Sequence, residues 1–146
     1  MIKEATISDY KLLAKMANKL WPNHTIVELE EEFKEIIQDK NSKCFIKYVN
    51  DVAIGFAHCS KRFDYVEGTS TSPVGYLEGI YIEKDYRNNG FAKQLLLACE
   101  KYARESNCTE FASDIEIDNI DSYNFHIATG FIEKNRIICF SKKIDK

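Results

Sequence analysis

The chain has 146 residues, a length suited to one domain, and with 45% hydrophobic and 12% aromatic residues it can bury a core, which excludes intrinsic disorder. Its 20 basic and 23 acidic residues leave a net charge of −3, which argues against nucleic acid as a partner. No apolar run approaches the ~20 residues of a spanning helix, and the charged opening Met1-Ile2-Lys3-Glu4 is no signal peptide, so the expectation is a cytoplasmic protein with no membrane association.

In chain order, Ser8 and Asp9 cap a predicted helix with Leu12, Leu13, Met16, Ala17 and Leu20 on one face. Trp21 ends it, because the residue before Pro22 is pushed out of the α region. Thr25-Ile26-Val27-Glu28 is a capping box, followed at helical spacing by Ile26, Leu29, Phe33, Ile36 and Ile37. Cys44 to Val49 and Val52 to Cys59 are β-rich runs joined by the two-residue turn Asn50-Asp51, a hairpin signal. Ser60 to Pro73 turns polar and reads as a loop, and Gly75 to Ile82 as a third strand. Arg87-Asn88-Asn89-Gly90 then leads into an alanine- and leucine-rich helix from Phe91 to about Glu105. A strand from about Thr109 to Ile117, a helix from Asp118 to Thr129 and a final strand beginning at Phe131 after the helix-ending Gly130 complete the reading. The result is one continuous α/β domain over residues 1–146, without repeats or linkers. Five cysteines (Cys44, Cys59, Cys99, Cys108, Cys139), odd in number and widely spaced, fit buried free thiols better than a disulfide framework.

The segment with the most chemistry is the strand, turn and helix start from Leu77 to Leu95. Backbone N–H groups in the first turn of a helix lack internal partners and can cradle a phosphate where no side chain blocks the approach, which Gly90 and Ala92 leave open. Arg87 adds a positive charge. Neither a Walker-type loop nor Gly-x-Gly-x-x-Gly occurs, so nucleotide readings lose support. The segment does resemble the acyl-CoA motif Arg/Gln-x-x-Gly-x-Gly/Ala of the GNAT superfamily of N-acetyltransferases, met by Arg87, Gly90 and Ala92. That resemblance implies a mixed, mostly antiparallel α/β sheet flanked by helices. It also implies acetyl-CoA as acetyl donor, its pyrophosphate held across Arg87, Asn88, Asn89, Gly90, Phe91, Ala92 and Lys93 and its pantetheine amides paired with the backbone at Ile80, Tyr81 and Ile82. A second signature, Asn119, Ser122, His126 and Gly130-Phe131, implies that Asn119 contacts the CoA arm. His126 stands where most members carry a Tyr that protonates the leaving thiolate, a proton histidine can also donate; a packed helix histidine is the other reading.

Further blocks sharpen the resemblance: Leu20-Trp21-Pro22-Asn23-His24, Ala53-Ile54-Gly55-Phe56-Ala57, Asp64-Tyr65-Val66-Glu67-Gly68, Ser72-Pro73-Val74, Leu77-Glu78-Gly79-Ile80 and Ala112-Ser113-Asp114 together are similar to aminoglycoside 6′-N-acetyltransferases, from the first helix to about Arg136. In that family the first loop (Trp21, His24), the Tyr-bearing insertion (Tyr65) and acidic strand ends (Glu78, Asp114) bind the antibiotic, and a further acidic position is Asn135 here. Trp21 also reads as a core anchor. The physical reading agrees, since a polycationic substrate needs carboxylates and aromatic rims. Five acids and no base lie between Glu110 and Asp121, with Asp114 and Glu116 on one face of the predicted strand; Glu116, Asp118 and Asp121 read first as a solvated edge. Glu78 interrupts an apolar strand, where packing gives it no reason to be. The implied reaction is direct acetyl transfer to a primary amine. Asp114, Glu78 or a water takes the amine proton, and His126 or water protonates the thiolate. No metal is expected, since the three histidines are far apart and no Cys-x-x-Cys occurs. The family resemblance further implies a homodimer. The alternatives are acetylation of a polyamine or other cellular amine, and a non-catalytic CoA-binding module.

Overall fold

The hydrophobic periodicities settle into five strands and four helices in the computed structural model, which describes residues 1–145. They are β1 (Ile2–Glu4), α1 (Tyr10–Leu20), α2 (Ile26–Gln38), β2 (Ser42–Val49), β3 (Val52–Arg62), β4 (Val74–Ile82), α3 (Phe91–Glu105), β5 (Phe111–Ala112) and α4 (Ile120–Ala128), with single 3₁₀ turns at Ile7–Asp9 and Lys84–Tyr86. The chain forms two compact units, the first ending at Asp114 and the second beginning at Ile115.

In the first unit the sheet order is β1-β2-β3-β4-β5. Every pair is antiparallel except β4 with β5, which run parallel and therefore need α3 as a crossover. The β2–β3 hairpin turns on Asn50 and Asp51, at φ 48° and 63°, the left-handed pair that a tight two-residue turn requires. Phe56 of β3 meets Phe33 of α2 edge-on at 5.9 Å, and three residues along the strand the Cys59 thiol bonds that of Cys99 in α3. An odd offset on a strand means opposite faces, so α1 and α2 cover one side of the sheet and α3 the other. Leu13, Ala14, Met16, Ala17, Leu29 and Phe33 close the first layer on Cys44, Ile46, Phe56 and Tyr81. Leu95, Leu96, Cys99 and Ala103 are the buried face of α3.

Helix ends follow local chemistry. Thr25 accepts from the Glu28 N–H at 3.1 Å, as the capping box predicts. The Trp21 N–H closes α1 on the Ala17 carbonyl at 2.7 Å before Pro22. In the second unit, α4 ends in a Schellman motif: Gly130 has φ 99°, its N–H reaches Ile127, and the Phe131 N–H reaches the His126 carbonyl at 3.0 Å. Asn107 plays the glycine's part after α3, at φ 66°, with the Cys108 N–H on Ala103.

Three expectations about strands and one about the thiols are corrected. β3 continues through Ser60 to Arg62, because those residues pair with Tyr76 to Val74 of β4, where polarity alone reads as loop. The strand expected from Thr109 to Ile117 is only Phe111–Ala112, since β4 offers it partners at Gly75 and Tyr76 alone; Asp114 and Glu116 therefore do not share a strand face. The final strand from Phe131 does not form among the described residues, and Ile132, Ile137, Ile138 and Phe140 lie exposed. A strand needs a neighbour for its backbone groups, which local sequence does not supply. The thiols are free, but Cys139 is exposed while the other four are buried. No helix among the described residues is long and apolar enough to cross a membrane.

Candidate active site

The turn entering α3 has the form an anion site needs. Gly90 caps the helix at φ 78°, and a Cβ there would meet nothing within 4 Å, so the approach to the first-turn N–H groups is open. No acid lies in that first turn. Arg87 is fastened by its Nε–H to the Ile82 carbonyl at 2.9 Å, with its guanidinium carbon 5.6 Å from the Tyr81 ring centre. Asn89 donates to the Tyr86 and Arg87 carbonyls at 3.1 and 3.2 Å, and Asn88 takes a left-handed φ of 65°. Asn88 and Asn89 thus shape the turn, and the exposed Lys93 extends its positive charge.

β4 supplies the second part. Its β5 neighbour stops at Tyr76, so among the described residues no strand pairs with the edge from Leu77 to Ile82 on that side, and its backbone can pair with an extended ligand. On the other side the register slips: Gly79 faces His58 while Leu77 faces Cys59, which makes Glu78 the extra residue of a β-bulge. The bulge turns Glu78 toward β3, where its carboxylate accepts the Ser60 hydroxyl at 2.5 Å and the Arg62 Nε–H and Nη2–H at 2.9 and 2.7 Å. Arg62 in turn stacks on Tyr76, 3.6 Å from the ring centre, and the Tyr76 hydroxyl bonds Asp114. Both predicted carboxylates therefore belong to one network. Burial pushes the Glu78 carboxyl up, but Arg62 and Ser60 outweigh it and hold it below the ordinary carboxylate range. Burial and the Asp114 bond hold Tyr76 as the neutral phenol. Burial also lowers His58, whose Nε2 is 3.4 Å from the Ser42 hydroxyl.

Trp21 has a double placement. Its indole packs edge-on to Phe56, with ring centres 6.5 Å apart, and lies over Gly79, where a Cβ would sit 2.5 Å from its Cη2. It is thus a core anchor beside the bulge. His24 is exposed, its Nδ1 3.5 Å from Glu28. Tyr65 is 76% exposed on a loop pinned by the buried Val66 and by Glu110, which accepts the Ser70 and Thr71 N–H groups at 3.0 and 2.8 Å. Glu110 therefore anchors that loop.

In the second unit, Asn119 caps α4 through its Oδ1, which accepts the Ser122 N–H at 3.2 Å. His126 Nδ1 lies 2.7 Å from the Ser122 carbonyl oxygen and 3.4 Å from the Ser122 hydroxyl. The ring packs on Phe131 at 4.8 Å, the apolar contact of the Schellman motif. Asn135 Oδ1 accepts the Arg136 N–H at 2.9 Å.

Sequence reasoning missed Ser60, Arg62 and Tyr76. Their signal was the alternation His58, Ser60, Arg62, which puts three polar side chains on one face of a longer strand. The buried thiols Cys44, Cys99 and Cys108 are held above the usual thiol value, the wrong direction for a nucleophile. No group of three His, Cys, Asp or Glu among the described residues is placed to hold a metal ion.

The sequence profile of the Acetyltransferase (GNAT) family matches residues 13–131, spanning both units. An aminoglycoside N(6′)-acetyltransferase type 1 of Acinetobacter haemolyticus is 40% identical over 99% of each chain, and one of Salmonella typhimurium is 39% identical over 88% of each. Among solved structures, AAC(6′)-Iy in complex with the bisubstrate analog CoA-S-monomethyl-acetylneamine superposes with a TM-score of 0.94 at 35% identity, covering 99% of this chain and 98% of that one. The apo aminoglycoside 6′-N-acetyltransferase AAC(6′)-IG of Acinetobacter haemolyticus gives 0.94 at 39% identity over 99% of each. With a glycine-capped helix start, an open strand edge and a family match over most of its length, the chain belongs to the GNAT acetyltransferase family.

Proposed function

We propose that this protein transfers the acetyl group of acetyl-CoA to the 6′-amine of an aminoglycoside and so confers resistance to such antibiotics. The observation that carries the reading is the open β4 edge, which runs from the Glu78 bulge toward the glycine-capped start of α3. It suits an extended donor whose anionic end rests on a helix start and whose thioester lies beside carboxylates that attract ammonium groups. The named relatives support the same substrates. Arg87 to Lys93 hold the CoA pyrophosphate, and the backbone of Ile80, Tyr81 and Ile82 pairs with the pantetheine amides and polarises the thioester carbonyl. Trp21, His24, Tyr65, Glu78 and Asp114 hold the aminoglycoside; the family pattern adds Asn135 there and Asn119 and His126 toward CoA.

The substrate amine arrives protonated. It gives one proton to a carboxylate of the Glu78–Asp114 network or to a water and attacks the thioester carbon to form the C–N bond; the C–S bond breaks and the nitrogen releases its second proton to water, leaving the neutral amide. The thiolate leaves with a proton from water or from His126. Acetylation is cytoplasmic in this reading, where acetyl-CoA is available.

Thiol release from acetyl-CoA with kanamycin, tobramycin and a 6′-hydroxyl aminoglycoside tests the proposal: the two amines are turned over and the hydroxyl compound is not. No turnover of the 6′-amino compounds refutes it, and a higher kcat/KM for a polyamine assigns the enzyme to cellular amines. The protein acts as a homodimer in the same reading. Its support is the apolar segment after Phe131, with Ile138 and Phe140 at 81% and 90% exposure and no strand among the described residues to pair with. Light scattering after size exclusion should give twice the monomer mass, reduced to the monomer by Ile138→Asp with Phe140→Asp.

A further inference from the structure

The Glu78 carboxylate is more constrained than a proton acceptor requires. Its two oxygens offer about four lone-pair directions, and three are taken: one by the Ser60 hydroxyl at 2.5 Å and two by the Arg62 fork at 2.9 and 2.7 Å. The fork is itself braced, because the guanidinium carbon lies over Tyr76, 3.6 Å from its ring centre. Tyr76 is buried and bonded to Asp114. The chain of contacts runs Ser60–Glu78–Arg62–Tyr76–Asp114, and its two carboxylates differ in kind. Glu78 is locked by a permanent cation, while Asp114 meets a phenol and is exposed.

The geometry points to Arg62 as a positioning residue for the proposed transfer: stacked on Tyr76, it clasps Glu78 in one orientation, so that Glu78 serves as a fixed anionic binding point for a substrate ammonium group and not as the acceptor of the reacting amine's proton. The inference rests on the aminoglycoside reading. The groups facing Glu78 are His58, Ser60 and Arg62 from β3, Tyr76 from its own strand, and Asp114 beyond β5; Asp39 faces His58. Of these, Arg62 makes two of the three hydrogen bonds and carries the only permanent positive charge. Removing it leaves a half-buried carboxylate with a hydroxyl partner, which then takes up a proton at higher pH. Lysine keeps the charge without the fork.

The test is steady-state kinetics of Arg62→Gln, Arg62→Lys and Glu78→Gln with a 6′-amino aminoglycoside at saturating acetyl-CoA, from pH 6 to pH 8. It is paired with NMR titration of the glutamate side-chain carboxyls, the Glu78 signal being assigned by its loss in Glu78→Gln. For Arg62→Gln the expected result is an aminoglycoside KM raised more at pH 6 than at pH 8, with kcat within roughly threefold of wild type. The Glu78 carboxyl then titrates above its wild-type position, and Arg62→Lys falls between. Glu78→Gln is expected to raise KM at every pH while keeping kcat within roughly threefold to tenfold. A fall in kcat of about a hundredfold or more for Glu78→Gln with KM unchanged makes Glu78 the base and overturns the inference. So does an Arg62→Gln effect that is independent of pH, or a loss of melting temperature with kinetics unaltered. A wild-type protein that turns over no 6′-amine fails the functional reading and the substrate role together. The carboxyl titration then still shows, separately, whether Arg62 clasps Glu78.

Discussion

Gly79→Ala tests the local architecture most directly, because the space it needs is occupied. The added Cβ would sit 2.5 Å from Trp21 Cη2 and 2.9 Å from Cζ2, where carbon atoms normally meet at ~3.5–4.0 Å, an overlap of about 1 Å. The indole has no easy retreat, since it is packed on Phe56 and Phe56 on Phe33. Overpacking of this kind costs roughly 1–3 kcal/mol. Replacing glycine in a strand returns roughly 0.5–1 kcal/mol through the unfolded state. The overlap is the larger of the two, and a net loss of up to about 2.5 kcal/mol corresponds to a melting temperature lowered by up to about 8 °C at this chain length. Trp21 is the only tryptophan, so its emission reports the displacement during the same thermal melt. In a Trp21→Leu background the cost of Gly79→Ala should shrink by about 1–2 kcal/mol, a coupling measured by the double-mutant cycle. A Gly79→Ala protein that melts at or above wild type with unshifted emission would falsify the packing argument.

Arg87→Gln removes a cation and the bond to the Ile82 carbonyl; KM for acetyl-CoA should rise about tenfold, and its dependence on salt should weaken, read by kinetics at two ionic strengths. Gly90→Ala should fold, since nothing lies within 4 Å of the new Cβ, yet its positive φ costs ~1 kcal/mol and the methyl enters the anion approach; a modest drop in melting temperature with a raised KM for acetyl-CoA is expected, and an unchanged KM would exclude the turn as the binding site. Phe33→Ala should cost roughly 3–5 kcal/mol, about 10–15 °C, because Phe33 is 1% exposed between the helix layer and the sheet. Stability should also fall with acidification. The folded protein holds His58 below its unfolded value of 6.5 and Glu78 below 4.5, so the unfolded chain binds protons first and gains on the folded one as pH drops through each value. Urea melts from pH 8 to pH 4 should show the loss beginning near pH 6.5. His58→Asn should flatten its upper part and Glu78→Gln its lower part.

Elements whose signal is local were legible in the chain. The Thr25 cap, the hairpin turn at Asn50-Asp51, the stop at Trp21-Pro22 and the glycine ending α4 depend on a few adjacent residues, and each takes the expected form. The motif Arg87-x-x-Gly90-x-Ala92 is of the same kind, because a helix start with an open glycine is a property of six consecutive residues. The resemblance also brought Glu78 and Asp114 forward, yet nothing in the sequence says that they share a network. That required a one-residue slip between β3 and β4, which turns Glu78 toward Arg62, and an extension of β3 that polarity had disguised as loop.

Strand pairing is where the sequence ran out. Whether a β-rich stretch becomes a strand depends on a partner far along the chain, so the run after Thr109 shrinks to Phe111–Ala112, where β4 offers hydrogen bonds, and the stretch from Phe131 forms none among the described residues. The sequence by itself determined the four helices, the stops of α1 and α4 and the glycine turn entering α3, because those close their hydrogen bonds within a few residues, while the start of α1 fell to Thr6 and Asp9 and not to Ser8. Only the tertiary structure decided which carboxylate is clasped by arginine and which strand edge stays open, because register and bulges arise from pairings between residues distant in the chain.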